Sequence, residues 1–376
     1  MAMKSIRLRR FRVGVVACAL AFASLGGHDA QAITRSAAVI APTQPYLMSF
    51  HTCAAGAADC NNPANHVVQL AQSTDGASWS LVGGWQSYKG SVPDVFRRGN
   101  TLYVISTSGL TKVDLATGAT TTSTVTLSEG TFVDPSLAQL PDGRLILFFL
   151  PGIPGQDPAQ CAAGESSCVR QIRSAVEVAG SDGTRFTVDA GARVSETITS
   201  GAFSDPDIFF NGTEWVLYVS RGPSVHAYTS SSLQGSFVFR AVVSNSLGGV
   251  PAGLQLGGGT IATYVHTSVG GSTEIRRATS ATGTTSISSF QTALTGQSIG
   301  LGTHAESPGL AVNTAGIDCA ACTSASSPST TTTVAGVPSS GIRAGGSCTK
   351  AGATTTSGKV KLVCKKSGKK LIWAKR

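Results

Sequence analysis

Short apolar runs rich in β-branched and aromatic residues alternate in this chain with polar turns built on Gly and Asn, and the repeated units show no helical period. Four pairs of runs share one form. Val92-Pro93-Asp94-Val95-Phe96 passes Gly99-Asn100 into Leu102-Tyr103-Val104-Ile105, and Asp134-Pro135-Ser136-Leu137 passes Asp142-Gly143 into Leu145-Ile146-Leu147-Phe148-Phe149. Asp205-Pro206-Asp207-Ile208-Phe209 passes Asn211-Gly212 into Trp215-Val216-Leu217-Tyr218, and Val250-Pro251-Ala252-Gly253-Leu254 passes Gly257-Gly258-Gly259 into Ile261-Ala262-Thr263-Tyr264. Gly, Asn-Gly and Asp-Gly supply the positive φ that tight hairpins need, so each pair predicts a β-hairpin. One hairpin written repeatedly predicts a repeat architecture.

A second element follows the hairpins. Ser73-Thr74-Asp75-Gly76-Ala77-Ser78-Trp79, Ser181-Asp182-Gly183-Thr184-Arg185-Phe186 and Ser232-Leu233-Gln234-Gly235-Ser236-Phe237 read as turns into an outer strand, with a degraded copy from Thr282-Gly283 to Phe290. In such a turn the carboxylate accepts nearby N–H groups, Gly takes the left-handed conformation and the following aromatic packs between sheets. Hairpin and turn together make units of four strands, starting near residues 92, 134, 205 and 250. All-β units of that size predict propeller blades. A fifth inner strand, Glu306-Ser307-Pro308-Gly309-Leu310-Ala311-Val312, has no strand after it, and its missing partners lie at residues 46–50, 66–71 and 79–82. The expectation is a five-bladed β-propeller closed by pairing N-terminal strands with a C-terminal inner strand, which removes an exposed sheet edge.

Residues 1–32 stand apart. Lys4, Arg7, Arg9, Arg10 and Arg12 precede an apolar run at residues 13–25 and then Ala30-Gln31-Ala32, the pattern of a cleaved secretory signal peptide. No other apolar run is long enough to span a bilayer. The expected product is secreted, with surface association open, and monomeric. Its remaining cysteines fall in local couples: Cys53 with Cys60, Cys161 with Cys168, Cys319 with Cys322, Cys348 with Cys364. An even number in an exported chain implies disulfides; short loops favour local closure, although the sequence leaves the connectivity open. Residues 33–316 form the expected propeller, 317–340 a Ser/Thr/Pro-rich linker, and 341–376 a small two-cysteine module stapled from Cys348 to Cys364.

Charge divides unevenly along this map. Of the net +9, residues 1–32 carry +4 and residues 341–376 carry +10 without one acid, which leaves −5 for the rest. The large domain therefore gives no electrostatic reason to expect nucleic acid. The basic module suits an anionic cell-wall polymer or polysaccharide, or is simply a solvated basic surface.

Inner strands converge on a propeller's axis, so residues repeated at their starts face one another. Relative to the shared proline, Asp134 and Asp205 stand one before, Asp94 and Asp207 one after, and Glu306 two before. Carboxyls brought together raise one another's pKa, which lets one serve as general acid while another stays an ionised base. Glycoside hydrolysis uses such a pair. Asp-Pro, apolar residues, a Gly turn and an aromatic strand such as Trp215-Val216-Leu217-Tyr218 resemble the family-43-like five-bladed glycoside hydrolases, the arabinanase, β-xylosidase and α-arabinofuranosidase group, over residues 40–315.

The resemblance implies Asp134 as base, Asp205 as the residue that tunes the acid's pKa, and Glu306 as acid, with a glycan as partner. The order departs from the family. Glu306 lies two blades beyond Asp205, the blade between offers Val250-Pro251-Ala252-Gly253, and the first blade has Val92-Pro93-Asp94 where the family has Asp before Pro. Asp94, Asp207, Arg221 and His304 are expected to line the funnel and contact sugar hydroxyls. No cofactor is expected; the resemblance leaves room for a divalent cation on the axis, but the sequence displays no ligand set.

The Ser-x-Asp-Gly turns resemble the Asp-box of sialidases, where it is structural, but the early Arg-Ile-Pro motif of sialidases is absent. Asn211-Gly212-Thr213 fits a glycosylation sequon and is read as a hairpin tip. The competing reading makes the repeated acids turn-capping scaffold and the protein a non-catalytic glycan- or surface-binding propeller tethered by its basic module.

Overall fold

The computed structural model describes residues 39–313 except Ala58 and Ser288, together with residues 351–352, 354–357, 360–367 and 370–375. The expected signal peptide and linker, with Cys319, Cys322 and Cys348, lie outside the described residues. The chain divides into two compact units, Met1–Cys322 and Thr323–Arg376.

The first unit is a five-bladed β-propeller. Strands β1 (Tyr46–Cys53), β2 (His66–Ser73), β3 (Ser80–Leu81) and β4 (Tyr88–Lys89) belong to the closing blade. Blade 1 follows as β5 (Asp94–Arg98), β6 (Thr101–Ser106), β7 (Gly109–Asp114) and β8 (Thr120–Ser123). Blade 2 holds β9 (Thr126–Leu127), β10 (Phe132–Gln139), β11 (Leu145–Pro151), β12 (Cys168–Glu177), β13 (Arg185–Val188) and β14 (Val194–Ile198). Blade 3 is β15 (Ser204–Phe210), β16 (Trp215–Arg221), β17 (Ser224–Ser230) and β18 (Val238–Ser244); blade 4 is β19 (Gly249–Gln255), β20 (Ile261–Val269), β21 (Ser272–Ser280) and β22 (Gln291–Thr295). The inner strand of the closing blade, blade 5, is β23 (Glu306–Val312), which runs antiparallel to β1 with Tyr46 opposite Val312 and Leu47 opposite Ala311. The ring thus closes as the sequence pattern implies, with no inner edge left open.

Second strands are apolar along both faces because each is sandwiched between neighbouring blades; β11 and β16 are buried from their first residue to their sixth. The core accordingly lies between blades. Phe148, Phe203, Trp215 and Leu217 fill the space between blades 2 and 3, and Phe209, Tyr218 and Ile261 that between blades 3 and 4. Each such side chain contributes about 1.5–3 kcal/mol by leaving water.

Polar contacts lock the same seams. The Asp94 carboxylate accepts Leu137 N–H at 2.6 Å, Ser136 Oγ accepts Ile208 N–H at 3.1 Å, and the Asp207 carboxylate accepts Gly253 N–H at 2.8 Å. Further out, Tyr103 donates to Asp182 at 2.5 Å, Tyr218 to the Gly283 carbonyl at 2.7 Å and Tyr264 to the Gly76 carbonyl. Each tyrosine thus plugs into the Gly turn of another blade. A Cβ on Gly283 or Gly76 would come within 3.0 Å of its tyrosine hydroxyl, and both glycines have positive φ, so the turn needs Gly twice over. In the turn at residues 73–79, Asp75 accepts Ala77 and Ser78 N–H at 2.8 and 3.0 Å, and Trp79 is buried behind it.

Two disulfides close short loops, Cys53–Cys60 and Cys161–Cys168, with Cα separations of 5.4 and 5.5 Å. Each contributes about 2–3 kcal/mol on loop-entropy grounds. In the second unit, β24 (Thr354–Ser357), β25 (Val360–Ser367) and β26 (Lys370–Lys375) form an antiparallel sheet. Its register puts Lys361, Lys365 and Lys370 on one face, and Cys364 is disulfide-bonded.

Candidate functional site

Five prolines, Pro93, Pro135, Pro206, Pro251 and Pro308, ring the propeller axis around a cavity of about 20 Å³. That holds roughly one water. The axis is therefore too narrow there for a larger ligand, and the acids of the inner-strand starts lie at its mouth. Every residue before these prolines has positive φ: Val92 46°, Asp134 50°, Asp205 51°, Val250 45° and Ser307 54°. The register slips by a bulge at the last four. For non-glycine residues, β-branched valine above all, this geometry costs about 1–3 kcal/mol each.

Part of that strain is offset by a repeated hydrogen bond. The pre-proline N–H donates to a side chain of the preceding blade: Val92 to His51 Nδ1 at 3.3 Å, Asp205 to Asp134 Oδ2 at 3.3 Å, Val250 to Ser220 Oγ at 2.8 Å. Asp134, His51 and Ser220 are thus three chemical solutions to one structural need.

The structure brings Asp134, Asp205 and Glu306 to this mouth. By accessible surface the two aspartates are half-buried, yet protein surrounds both carboxyls. Burial first, then the charge of Asp205, pushes Asp134 well above the usual carboxylate range. Burial also raises Asp205, against the Ser204 hydroxyl that donates to it at 2.6 Å. Two such neighbours retain protons that isolated aspartates would lose.

Glu306 is in the opposite state. Burial works to raise its pKa, but hydrogen bonding from His51 and Thr273 and the nearby charge of His266 and His51 bring it down to about 2. Thr273 Oγ1 donates to Oε1 at 2.8 Å, while His51 Nε2 stands 3.4 Å from Oε2, an ion-pair distance rather than a well-formed hydrogen bond. Burial lowers His51 itself to about 4. At neutral pH, then, Glu306 is an anion facing an uncharged imidazole.

Three histidines that sequence reasoning passed over complete the mouth. His51 stacks on His66, ring centroids 3.9 Å apart and planes within 14°. His266, opposite Gly249 in the blade 4 ladder, is close enough to feel both Asp205 and Glu306, and its buried Nδ1 has no hydrogen-bond partner among the described residues. An open cavity of about 460 Å³ lies between blades 3 and 4, lined by Ser204, Asp205, Ser220, His266 and Ser268 among others. The available signal was position: the expected closing strand stopped at Phe50, one residue short of His51, and His66 begins the next.

Of the remaining expected residues, Asp94 and Asp207 line the small axial cavity beneath the mouth. Asp94 and Asp207 are buried, their carboxylates occupied by the blade-to-blade bonds above; burial pushes Asp94 up to about 7 and, with the charge of Asp94, raises Asp207 well above its ordinary value. Arg221 pairs with Glu196 at 3.5 Å and donates to the Ala202 carbonyl at 2.8 Å. His304 is half-buried, its Nδ1 3.2 Å from Thr303 Oγ1. Asn211 donates from its amide to the Thr282 carbonyl at 2.9 Å, as a hairpin tip tied to the next blade. Trp85 and Tyr88 pack on the core beneath blade 5.

A divalent cation on the axis would need several oxygen or nitrogen donors converging there. Among the described residues, the one group of three metal-ligating side chains within 4.8 Å is Cys161, Glu165 and Cys168, and its sulfurs are joined in a disulfide. The mouth residues form no such group, and no step below passes through a metal.

No protein-family model and no curated protein matches the chain. Among solved structures it is similar to CoXyl43, a GH43 β-xylosidase/α-arabinofuranosidase from a compost microbial metagenome, at 15% identity, TM-score 0.44, covering 66% of this chain and 92% of that one. It is also similar to the GH43_1 enzyme from Xanthomonas citri complexed with xylotriose, at 16% identity, TM-score 0.42, covering 65% and 90%. A family 43 arabinoxylan arabinofuranohydrolase from Bacillus subtilis gives 16% identity, TM-score 0.42, covering 62% and 58%. Likenesses this distant carry no functional argument; the propeller stands on the chain's own sheets.

Proposed function

We propose that this is a secreted glycoside hydrolase that binds a saccharide over the proline plug and cleaves it with the acids of the mouth. The observation that carries the reading is the opposed surroundings of the mouth carboxyls: Asp134 and Asp205 lie in contact, Asp205 N–H on Asp134 Oδ2 at 3.3 Å, both pushed up by burial, whereas Glu306 takes a hydrogen bond from Thr273 and faces His51, which favour its charged form. Such opposition is what acid–base cleavage of a glycosidic bond requires. In this scheme the aspartate pair gives its proton to the leaving oxygen as the C–O bond breaks. Glu306 takes a proton from the water that attacks the anomeric carbon. This reverses the roles that the family resemblance assigns to Asp134 and Glu306, and its reason is charge: a general acid must hold a proton, and the donors around Glu306 favour its charged form. Ser204, Ser220 and His266 line the cavity beside Asp205 and supply hydroxyl and imidazole partners for a sugar.

A screen of aryl glycosides of arabinose, xylose and galactose tests the reading. Turnover is expected from the wild type, with a loss on the order of 10²–10⁴-fold in Glu306→Gln and in Asp134→Asn. No turnover on any substrate, with glycan binding retained, would favour the second reading, a non-catalytic glycan-binding propeller tethered to an anionic cell-wall polymer by its basic module. One observation favours that reading: Asp134 does for Asp205 what His51 and Ser220 do on other blades, a purely structural service. Tethering would then be lost without residues 341–376 and weakened by salt.

A further inference from the structure

The groups around Glu306 favour its charged form, and the one that matters most, His51, is itself held from behind. The Val92 N–H points at His51 Nδ1, so that nitrogen is an acceptor and the proton of a neutral ring sits on Nε2, facing Glu306. His66 is fixed the same way: its Nε2 is 2.8 Å from the Cys60 carbonyl, which can only accept, and its Nδ1 is 2.8 Å from Ser91 Oγ. The two rings stack and are both buried, with relative exposures of 3% and 6%. The Cys60 carbonyl is presented by the loop that the Cys53–Cys60 disulfide closes, braced by Ala54 N–H on the Asn65 carbonyl at 2.7 Å.

We propose that His51 is a positioning residue that keeps Glu306 ionised and aimed, and that the Cys53–Cys60 loop, through His66, holds His51 in that orientation. The use of Glu306 in catalysis rests on the reading above; the holding of its charge does not. The chain of contacts runs from the disulfide through His66 and His51, and its last link is the 3.4 Å approach of His51 Nε2 to Glu306 Oε2. His66 has both nitrogens occupied and lies flat against His51, so it blocks rotation of that ring without competing for Glu306. The other groups facing Glu306 are His266 on β20 and the Thr273 hydroxyl on β21. Among the described residues neither is hydrogen-bonded to the Cys53–Cys60 loop, so a change made in that loop reaches Glu306 by way of the histidine stack.

The experiment is a carboxyl-carbon NMR titration of Glu306 in the full chain, which needs no substrate. In wild type the midpoint is expected near 2. His51→Leu should raise it by more than one unit, a tenfold change in proton affinity, while His51→Gln, which keeps a donor but not the charge that His51 takes on below about 4, should restore part of the difference. The double variant Cys53→Ser/Cys60→Ser should give an intermediate rise. An unchanged midpoint in a folded His51→Leu protein overturns the proposal. So does a His51 imidazole whose nitrogen shifts in wild type report the Nδ1–H tautomer, a reading available even if the leucine variant does not fold. Inactivity toward every glycoside alongside the expected titrations would leave this inference standing and remove the hydrolase reading.

Discussion

Asp134 and Asp205 occupy one place in the repeat, and Asp94 and Asp207 another two residues further on, yet the proline between them divides their work. Behind the proline the carboxylates are buried and fastened to the next blade's backbone. Ahead of it they reach the mouth, where each feels the other. Removing the charge of Asp205 should therefore act on Asp134. With Asp205→Asn, the Asp134 pKa falls, because the negative neighbour that raised it is gone. If Asp134 is the proton donor, the basic limb of the kcat/KM profile moves to lower pH by about one unit, or ~1.4 kcal/mol. A limb that stays in place while the amide variant remains folded would take Asp134 out of the acid's role. The acid limb, set by Glu306 protonating near 2, should not move.

At the scale of elements, the hairpins were legible because a Gly-bearing turn between two β-rich runs admits little else, and the proline marked each inner strand. The closing sheet was legible as well, since β23 had no partner after it and the N-terminal strands had none before. The mouth histidines were not. His51 and His266 enter the site because the ladders there slip by a bulge, between Ser49 and His51 on β1 and between Gly249 and Ala252 on β19, and register of that kind is set by turn and bulge geometry rather than by the apolar pattern. Nor could sequence foresee β14, which pairs with the early part of the long β12 and carries Glu196 to Arg221. The Gly turns make a prediction at this scale. Tyr264 is fully buried and spends its hydroxyl on Gly76, so Tyr264→Phe should cost about 1 kcal/mol and lower Tm by about 2–4 °C. A thermal melt unchanged within error would show that the seam is held by ring packing alone.

For the whole molecule, closure is the step on which the site depends, because Glu306 opens the strand that closes the ring. β23 pairs five of its residues with β1, and β1 is buried from Leu47 to Thr52. Just past β23, Asn313 donates to the Gln44 and Pro42 carbonyls at 2.9 and 3.1 Å and accepts from Arg97 of blade 1. At a net of about 1 kcal/mol per hydrogen bond, losing this strand removes much of the roughly 5–15 kcal/mol that holds a domain together. It also bares an apolar edge that invites pairing with other chains. A chain ending at Asn313 should therefore unfold cooperatively near the full-length midpoint, whereas one ending at Ala305 should aggregate or melt far lower. Calorimetry and size-exclusion chromatography on the two, with residues 1–32 removed from both, decide the matter. Equal midpoints would mean that the four remaining blades hold β1 in place without the C-terminal strand, and that Glu306 is carried on an element the ring does not need.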